Sequence, residues 1–132
     1  YLNMEEDQQK KALEFQILNN QFEQYKQQLA KLEEQKKDIS NLSISLKEIS
    51  KLKKDSEFLS PLSSGVLVKA DLKEPEDVLM AVGAGVMVKK PVKEAKKLIA
   101  EQEKHITLMI SQLQSEIQKI GQVINQLQQE LQ

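Results

Sequence analysis

The last third of the chain carries the repeat that most constrains how it can fold. An isoleucine or leucine recurs every seven residues from Ile99 to Leu127, and a second series lies four residues later, from Ile110 to Leu131. Two apolar positions per heptad, sustained over several heptads, indicate a coiled-coil helix. The full set is Ile99, Ile106, Ile110, Leu113, Ile117, Ile120, Ile124, Leu127 and Leu131. One helix cannot bury such a stripe alone, so the repeat predicts a partner helix.

The first third of the chain supplies a matching stripe. Phe15, Phe22 and Leu29 are spaced by seven residues, and a companion series follows three residues later at Leu18, Tyr25, Leu32, Ile39 and Leu46. The first series turns polar at Lys36 and Ser43. There we expect three other residues to continue the stripe, namely Leu42, Ile49 and Leu52. We predict two coiled-coil helices, in segments 1–56 and 92–132, that pair antiparallel as a rod-like hairpin.

The segment between the stripes, residues 57–91, has the composition of strands and turns. It contains all three prolines and three of the four glycines. Four stretches favour strands, namely "EFLSPL", "GVLVKADLK", "DVLMAVG" and "GVMVKK". Pro61 is compatible with an edge strand, and Gly-Ala-Gly at 83–85 predicts a two-residue hairpin turn with positive φ. The predicted fold class is therefore α+β, a long antiparallel two-helix coiled coil with two short β-hairpins at the bend.

The glycines of "VGAGVMVKK" also resemble part of a phosphate-binding loop. A dinucleotide-binding loop needs G-x-G-x-x-G with a helix beginning at the loop. Here Val88 stands at the position of the third glycine, and the residues that follow alternate as in a strand. We therefore interpret this stretch as a hairpin turn and not as a nucleotide site.

The residue types in the chain argue against catalysis and against several kinds of partner. There is no Cys and no Arg, and the single histidine, His105, lies off the apolar series, where we expect it to be exposed. We predict no enzyme, no metal site and no cofactor. The net charge is −1, which disfavours nucleic acid as a partner because phosphate binding needs a basic surplus. No apolar run reaches membrane-spanning length.

The predicted strands carry apolar side chains on both faces, more than one slim coiled coil can cover. Isolated hairpins are marginal in water, and open strand edges favour pairing with another chain. We therefore expect an oligomerisation surface made of Val66, Leu67, Val68, Leu79, Met80, Val82, Gly83, Gly85, Val86, Met87 and Val88. A passive coiled-coil scaffold or tether is the alternative function, although a tether has little use for such a sheet at its bend.

Two long helices flanking "FLSPLSSGVLVKADL" and "DVLMAVGAGVMVKKPVKEAKKLI" resemble the α-class subunit of prefoldin, an archaeal and eukaryotic cytosolic co-chaperone. The specific part of the resemblance runs from Glu57 to Leu98. The α class carries two hairpins, and the β class carries one. The resemblance implies a cytoplasmic hexamer of two α-class and four β-class subunits, whose hairpins assemble into an inter-subunit β-barrel. It also implies that unfolded clients are held at the coiled-coil tips and passed, without ATP, to a group II chaperonin.

An antiparallel coiled coil places the first and last residues of this sequence at the end furthest from the hairpins. Six apolar residues there are our candidates for client binding, namely Tyr1, Leu2, Met4, Ile124, Leu127 and Leu131. Met suits promiscuous contacts because its side chain is flexible and polarizable. Two alternatives stay open. Leu127 and Leu131 can be seam residues with no role in client binding, and Tyr1, Leu2 and Met4 can belong to a disordered end.

Overall fold

The computed structural model describes the backbone of residues 2–131 and the side chains of residues 3–131. Along the chain, four short strands lie between two long helices. In order, the elements are α1 (Leu2–Ser50), β1 (Glu57–Ser63), β2 (Val66–Asp71), β3 (Asp77–Gly83), β4 (Val86–Pro91) and α2 (Val92–Glu130). The strands form two separate two-stranded antiparallel sheets, β1–β2 and β3–β4. The prediction of two long helices with two short hairpins between them is confirmed.

The chain divides into two compact units. The helical unit contains Tyr1–Lys37 and His105–Gln132, and the hairpin unit contains Asp38–Lys104. Within the helical unit α1 and α2 run antiparallel, because Lys11 Nζ lies 3.4 Å from Glu130 Oε2 and Phe22 packs beside Gly121. The heptad residues of α2 in this unit are buried or half-buried, whereas most of the polar residues between them are exposed. The seam follows the sequence repeat.

The core of the hairpin unit lies where α1 and α2 meet the second hairpin. Leu46, Ala95 and Ile99 are buried together, and Val78 and Met80 of β3 pack against them. Both β3 residues face the helices because they alternate with Leu79, which points the other way. This apolar contact anchors the β3–β4 hairpin to the helices.

The prediction that Leu42 continues the apolar stripe of α1 is wrong. Leu42 is 44% exposed, whereas Lys36 and Ser43 are half-buried, so the heptad phase continues through polar residues. A lysine can keep its aliphatic stem in a seam while its ammonium group reaches water. Ile49 and Leu52 are half-buried, as expected.

Helix α1 also ends earlier than the first predicted segment, which ran to residue 56. The helix stops at Ser50, whose hydroxyl donates to the carbonyl of Lys47 at 2.7 Å. Beyond it the chain turns: Lys53 N–H donates to Ser56 Oγ at 3.1 Å, and Asp55 has a φ of 66°. These local bonds satisfy the backbone in a non-helical conformation, which serine and aspartate favour.

The two hairpins repeat the same structure at an interval of 20 residues, which the sequence interpretation missed. Glu57 pairs with Asp71 in the first hairpin, and Asp77 pairs with Pro91 in the second. The register irregularities, at 61/63 and 81/83, have the same spacing. Five positions are identical between the hairpins, namely Leu59/Leu79, Gly65/Gly85, Val66/Val86, Val68/Val88 and Lys69/Lys89.

Both hairpins close through a two-residue turn. The turn residues are Ser64 and Gly65 in the first hairpin, with φ of 28° and 84°, and Ala84 and Gly85 in the second, with φ of 51° and 73°. Positive φ at both central residues is what a type I′ turn requires, and its twist matches that of the strands. The predicted two-residue turn at Gly-Ala-Gly is confirmed.

Candidate functional site: open hairpins and helix ends

The hairpins expose an unusual amount of apolar side chain. Eight of the residues predicted to mediate oligomerisation are exposed large hydrophobics, namely Val66, Leu67, Val68, Leu79, Val82, Val86, Met87 and Val88. Gly83 and Gly85 are exposed as well. A concentration of this kind on one short segment is typical of a protein interaction surface.

Met80 differs from the other predicted oligomerisation residues. Its side chain is half-buried and packs against the chain's own Leu46, Ala95 and Ile99. Met80 is therefore covered by residues of its own chain, because the alternation of side chains along β3 directs it toward the helices. Sequence alone could not decide which of the two apolar faces of β3 the helices would cover.

Sequence reasoning also left out three exposed residues of β1, namely Phe58, Leu59 and Leu62. The 20-residue repeat is the signal that could have found Leu59 and Leu62. It aligns Leu59 with Leu79 and Leu62 with Val82, both of which were predicted. Both hairpins therefore contribute to the exposed apolar surface.

A lysine crosses from the second strand of each hairpin to an acidic residue at the start of the first. Lys69 Nζ lies 3.9 Å from Glu57 Oε1, and Lys89 Nζ lies 3.8 Å from Asp77 Oδ2. Lys89 also contacts Glu74 Oε2 at 2.6 Å. The hydrogen bond from Lys89 to the Glu74 carboxylate, followed by the attraction between their charges, raises the pKa of Lys89 above its ordinary value. The outward face of each hairpin thus has a charged base and an apolar tip.

The strand edges are open within the described residues. Each sheet has only two strands, and the backbone hydrogen bonds outside the sheet ladders involve the turn and helix ends, not residues 77–83. Unpaired N–H and C=O groups along a strand are a template for another strand. The hairpins therefore offer both an apolar surface and free backbone hydrogen-bonding groups.

The predicted client-binding residues fall into three different environments. Met4 is 72% exposed, whereas Leu127 is only 7% exposed, and Ile124 and Leu131 are half-buried. Leu127 is thus a seam residue in this structure, in agreement with the alternative interpretation. Tyr1 and the side chain of Leu2 lie outside the described residues.

An ion-pair cluster lies beside the helix ends. Lys11 Nζ contacts Asp7 Oδ2 at 3.3 Å and Glu130 Oε2 at 3.4 Å. Hydrogen bonds to these two carboxylates raise the pKa of Lys11. The lysine connects α1 to the last turn of α2, and residues 3–10 before it are all exposed.

Two further apolar residues of α1, Leu13 and Ile17, are exposed outside the heptad seam. They are four residues apart and therefore adjacent on one helix face. Sequence reasoning missed them because it followed only the seam positions. Like Met4 near the helix end, they are exposed apolar side chains of α1, so they offer positions for control substitutions.

His105 is exposed, as expected. Among the described residues no group of three or more His, Cys, Asp or Glu side chains could hold a metal ion. Within the same residues no helix is long and apolar enough to cross a membrane.

Two long helices with two exposed, open-edged hairpins between them in the chain are the defining features of this fold. Residues 18–132 match the sequence profile of the prefoldin family, described as "Prefoldin subunit". The chain belongs to the prefoldin family, a family of chaperones without enzymatic activity.

Structural comparison agrees with this assignment at the level of the fold. A chain from the "Cryo-EM structure of filamentous PFD from Methanocaldococcus jannaschii" is similar, with a TM-score of 0.73 and 20% sequence identity. The match covers 87% of this chain and 95% of that one. A comparison with curated proteins found no match.

Proposed function

We propose that this chain is an α-class prefoldin subunit, a cytoplasmic co-chaperone component that captures unfolded proteins and passes them to a group II chaperonin without ATP. The observation that carries the α-class assignment is the pair of hairpins between the helices. The β class has one hairpin per subunit. Two open hairpins offer more binding edges than one, which suits a central position in an oligomer.

Assembly is the first part of the proposed activity. The exposed apolar side chains of both hairpins are costly in water, and the unpaired strand edges are templates for further strands. Strands from other subunits would cover both. The proposed assembly has two α-class and four β-class subunits, with the hairpins forming a β-barrel. The filamentous state named for the Methanocaldococcus jannaschii neighbour makes a homopolymer of this chain the alternative assembly.

Client capture is the second part, and we assign it to the helix ends. Met4 is the candidate that a client could contact without any rearrangement, because it is exposed and flexible. Leu127 could contact a client only if the last turns of the helices separate. Several such ends in one oligomer would hold a client through many weak contacts.

The assembly experiment is a native mass measurement of the chain, alone and mixed with a β-class subunit from the same cell. A hexamer of two plus four supports the proposal. A dimer that ignores the β-class chain would favour the passive scaffold or tether, in which the hairpins serve only as a clasp.

The capture experiment uses the assembled oligomer and an aggregating, chemically unfolded client. We expect Met4→Gln to weaken the suppression of aggregation by about twofold or more, since each weak contact is multiplied over several subunits. Leu13→Gln is the matched control, because it removes an exposed apolar residue from the outer face of the same helix. If both variants lose the same amount of suppression, the helix end has no special role and the assignment of Met4 is wrong.

A further inference from the structure

Lysines are concentrated where α1 ends and where α2 begins. Seven of them lie within residues 47–54 and 93–97, where the only acidic residues are Glu48 and Glu94. The whole chain has a net charge of −1, so the overall charge conceals this local excess. The seven residues, called the junction lysines below, are Lys47, Lys51, Lys53, Lys54, Lys93, Lys96 and Lys97.

The junction lysines differ from the lysines of the hairpin segment in having no ion-pair partner. Lys69, Lys73, Lys89 and Lys90, the four lysines of residues 57–91, all contact carboxylates of their own chain. Across residues 3–131 none of the junction lysines does so. Six of them are exposed, and Lys96 is half-buried. Their charge is therefore available to a partner.

An open pocket lies between the two groups of junction lysines. It has a volume of about 600 Å³. The lining residues are Ser50, Pro75, Glu76, Pro91, Val92, Lys93 and Lys96. Lys51 directly follows Ser50 in the chain, and helical spacing places Lys97 beside Lys93 on the surface of α2. The pocket is thus continuous with lysines from both helix ends.

The walls of this pocket are apolar and held in place by the backbone. Pro75 is half-buried and Pro91 is exposed, and the proline ring restricts φ at both positions. The Val92 N–H donates to the Glu76 carbonyl at 2.7 Å, which ties together the two segments that carry the prolines. A site that is already ordered loses less conformational freedom when a ligand binds.

The chemistry of the junction fits an acidic polypeptide better than a nucleic acid. Glu48 and Glu76 lie among the lysines, and a polypeptide can place neutral residues opposite them, whereas a nucleic acid carries a phosphate on every nucleotide. The chain has no arginine, and no aromatic residue lies in either lysine segment or in the pocket. Nothing at the junction therefore stacks on a base.

We propose that the junction binds a short acidic segment of a partner protein, with one bulky apolar side chain between Pro75 and Pro91 and carboxylates against the junction lysines. A few polar groups around an apolar pocket are typical of a specific binding site. The inference goes beyond the proposed function, which uses the exposed hairpin side chains for assembly and the helix ends for clients. The junction belongs to the hairpin unit and Met4 to the helical unit, so substitutions should separate the two activities.

The probe is a fluorescein-labelled synthetic peptide of aspartate and glutamate with one central phenylalanine. Its binding to the full chain is followed by fluorescence anisotropy while the NaCl concentration is raised. We expect saturable binding that weakens with salt, because the Debye length falls to about 8 Å at physiological ionic strength. The absence of saturable binding at low salt would overturn the proposal.

The main variant removes two charges from the rim of the pocket. Lys93→Gln/Lys96→Gln should weaken peptide binding by about fivefold or more, because each exposed ion pair contributes modestly. Glutamine is a good helix former, and circular dichroism checks that α2 is intact. The matched control is Lys31→Gln/Lys37→Gln, which removes two exposed lysines of α1 that also have no ion pair. An equal loss in both double variants would show that the peptide responds only to total charge, and the proposal would be wrong.

Two other probes test the pocket and the class of partner. A peptide with glycine in place of the phenylalanine should bind about tenfold more weakly, because the burial of an aromatic side chain is lost. Equal affinity of the two peptides would exclude the pocket from the site and overturn the proposal. A single-stranded oligonucleotide of the same net charge should bind more weakly than the phenylalanine peptide. Tighter binding of the oligonucleotide would identify a phosphate-binding surface instead.

The inference and the proposed function can fail independently. Met4→Gln should leave peptide affinity unchanged, and Lys93→Gln/Lys96→Gln should leave the suppression of client aggregation unchanged. If Met4→Gln weakens peptide binding as much as the lysine variant does, the peptide is captured as a client and the junction site is rejected. The titration is repeated on the assembled oligomer, and loss of binding there would also reject it. Normal assembly and client protection without peptide binding would reject only the junction site.

Discussion

The two hairpins share a register, a turn and a diagonal ion pair, but they are held in place differently. The second hairpin places Val78 and Met80 on the buried core formed by Leu46, Ala95 and Ile99. The first hairpin has Phe58 and Ser60 at the equivalent positions, and Phe58 remains exposed. One copy of the repeat is thus anchored to the helices through β3, and the other has a serine where that anchor would be.

The comparison shows that the residues that form a hairpin are distinct from the residues that hold it against the helices. The turn residues and the alternation of the strands are common to both copies, so they account for the shared hairpin geometry. Met80 of the second hairpin corresponds to Ser60 of the first, and a serine offers little apolar area to bury against the helices. We therefore expect the second hairpin to be the more rigid of the two in the isolated chain.

The largest effect should come from the core beneath the second hairpin. Ile99 is 3% exposed, and truncation of a buried isoleucine to alanine costs about 3 kcal/mol. Ile99→Ala should lower the free energy of unfolding by about that amount and reduce the hydrogen-exchange protection of β3–β4 amides. The control is Leu108→Ala, an exposed residue of the same helix. An equal loss of protection in β1–β2 would show that the hairpins are not held independently.

A smaller effect should follow from making the second hairpin resemble the first. Met80→Ser introduces the residue found at position 60 and removes a half-buried apolar contact, at a cost of about 1–2 kcal/mol. Exchange protection in β3–β4 should fall toward that of β1–β2. Ser60→Ala is the control and should change neither quantity. If Met80→Ser leaves protection unchanged, the anchor is not provided by this side chain.

Much of the fold could be predicted from the sequence, because its strongest signals are periodic. The heptad series in α2 requires a partner helix, and Gly83 and Gly85 indicate a turn at which positive φ is needed. The end of α1 at Ser50 was missed because it depends on local hydrogen bonds of Ser50 and Ser56. The prediction that Leu42 continues the α1 stripe was wrong, because it followed apolar residues only. It did not consider that the aliphatic stem of a lysine could fill a seam position.

The candidate site was harder to predict, because exposure depends on tertiary contacts. Met80 and Leu79 are both apolar neighbours on β3, and only the position of the helices determines which of them is covered. Leu127 and Met4 are likewise both apolar residues near the helix ends, yet one is buried and the other is exposed.

Replacing the turn glycine should lower the free energy of unfolding by the same amount in the two hairpins. Gly65 and Gly85 have φ of 84° and 73°, and apart from the adjacent residues no atom lies within 4 Å of a Cβ placed at either position. Gly65→Ala and Gly85→Ala should therefore each cost about 1 kcal/mol, from backbone conformation alone. Chemical denaturation of the two variants checks this. A clear difference between them would mean that the two turns are not equivalent despite their shared geometry.

The smallest effect concerns Glu74, which gives Lys89 a contact beyond the diagonal pair that both hairpins share. The hydrogen bond and charge of Glu74 raise the pKa of Lys89, so Glu74→Gln should lower that pKa in an NMR titration of the lysine side chain. A raised folded-state pKa stabilises the fold below the unfolded value of 10.5, and the contribution is lost as the pH rises through the folded value. Both groups are exposed, so stability near neutral pH should change little. Asp77→Asn is the comparison, and a larger pKa change there than in Glu74→Gln would contradict the dominant role of Glu74.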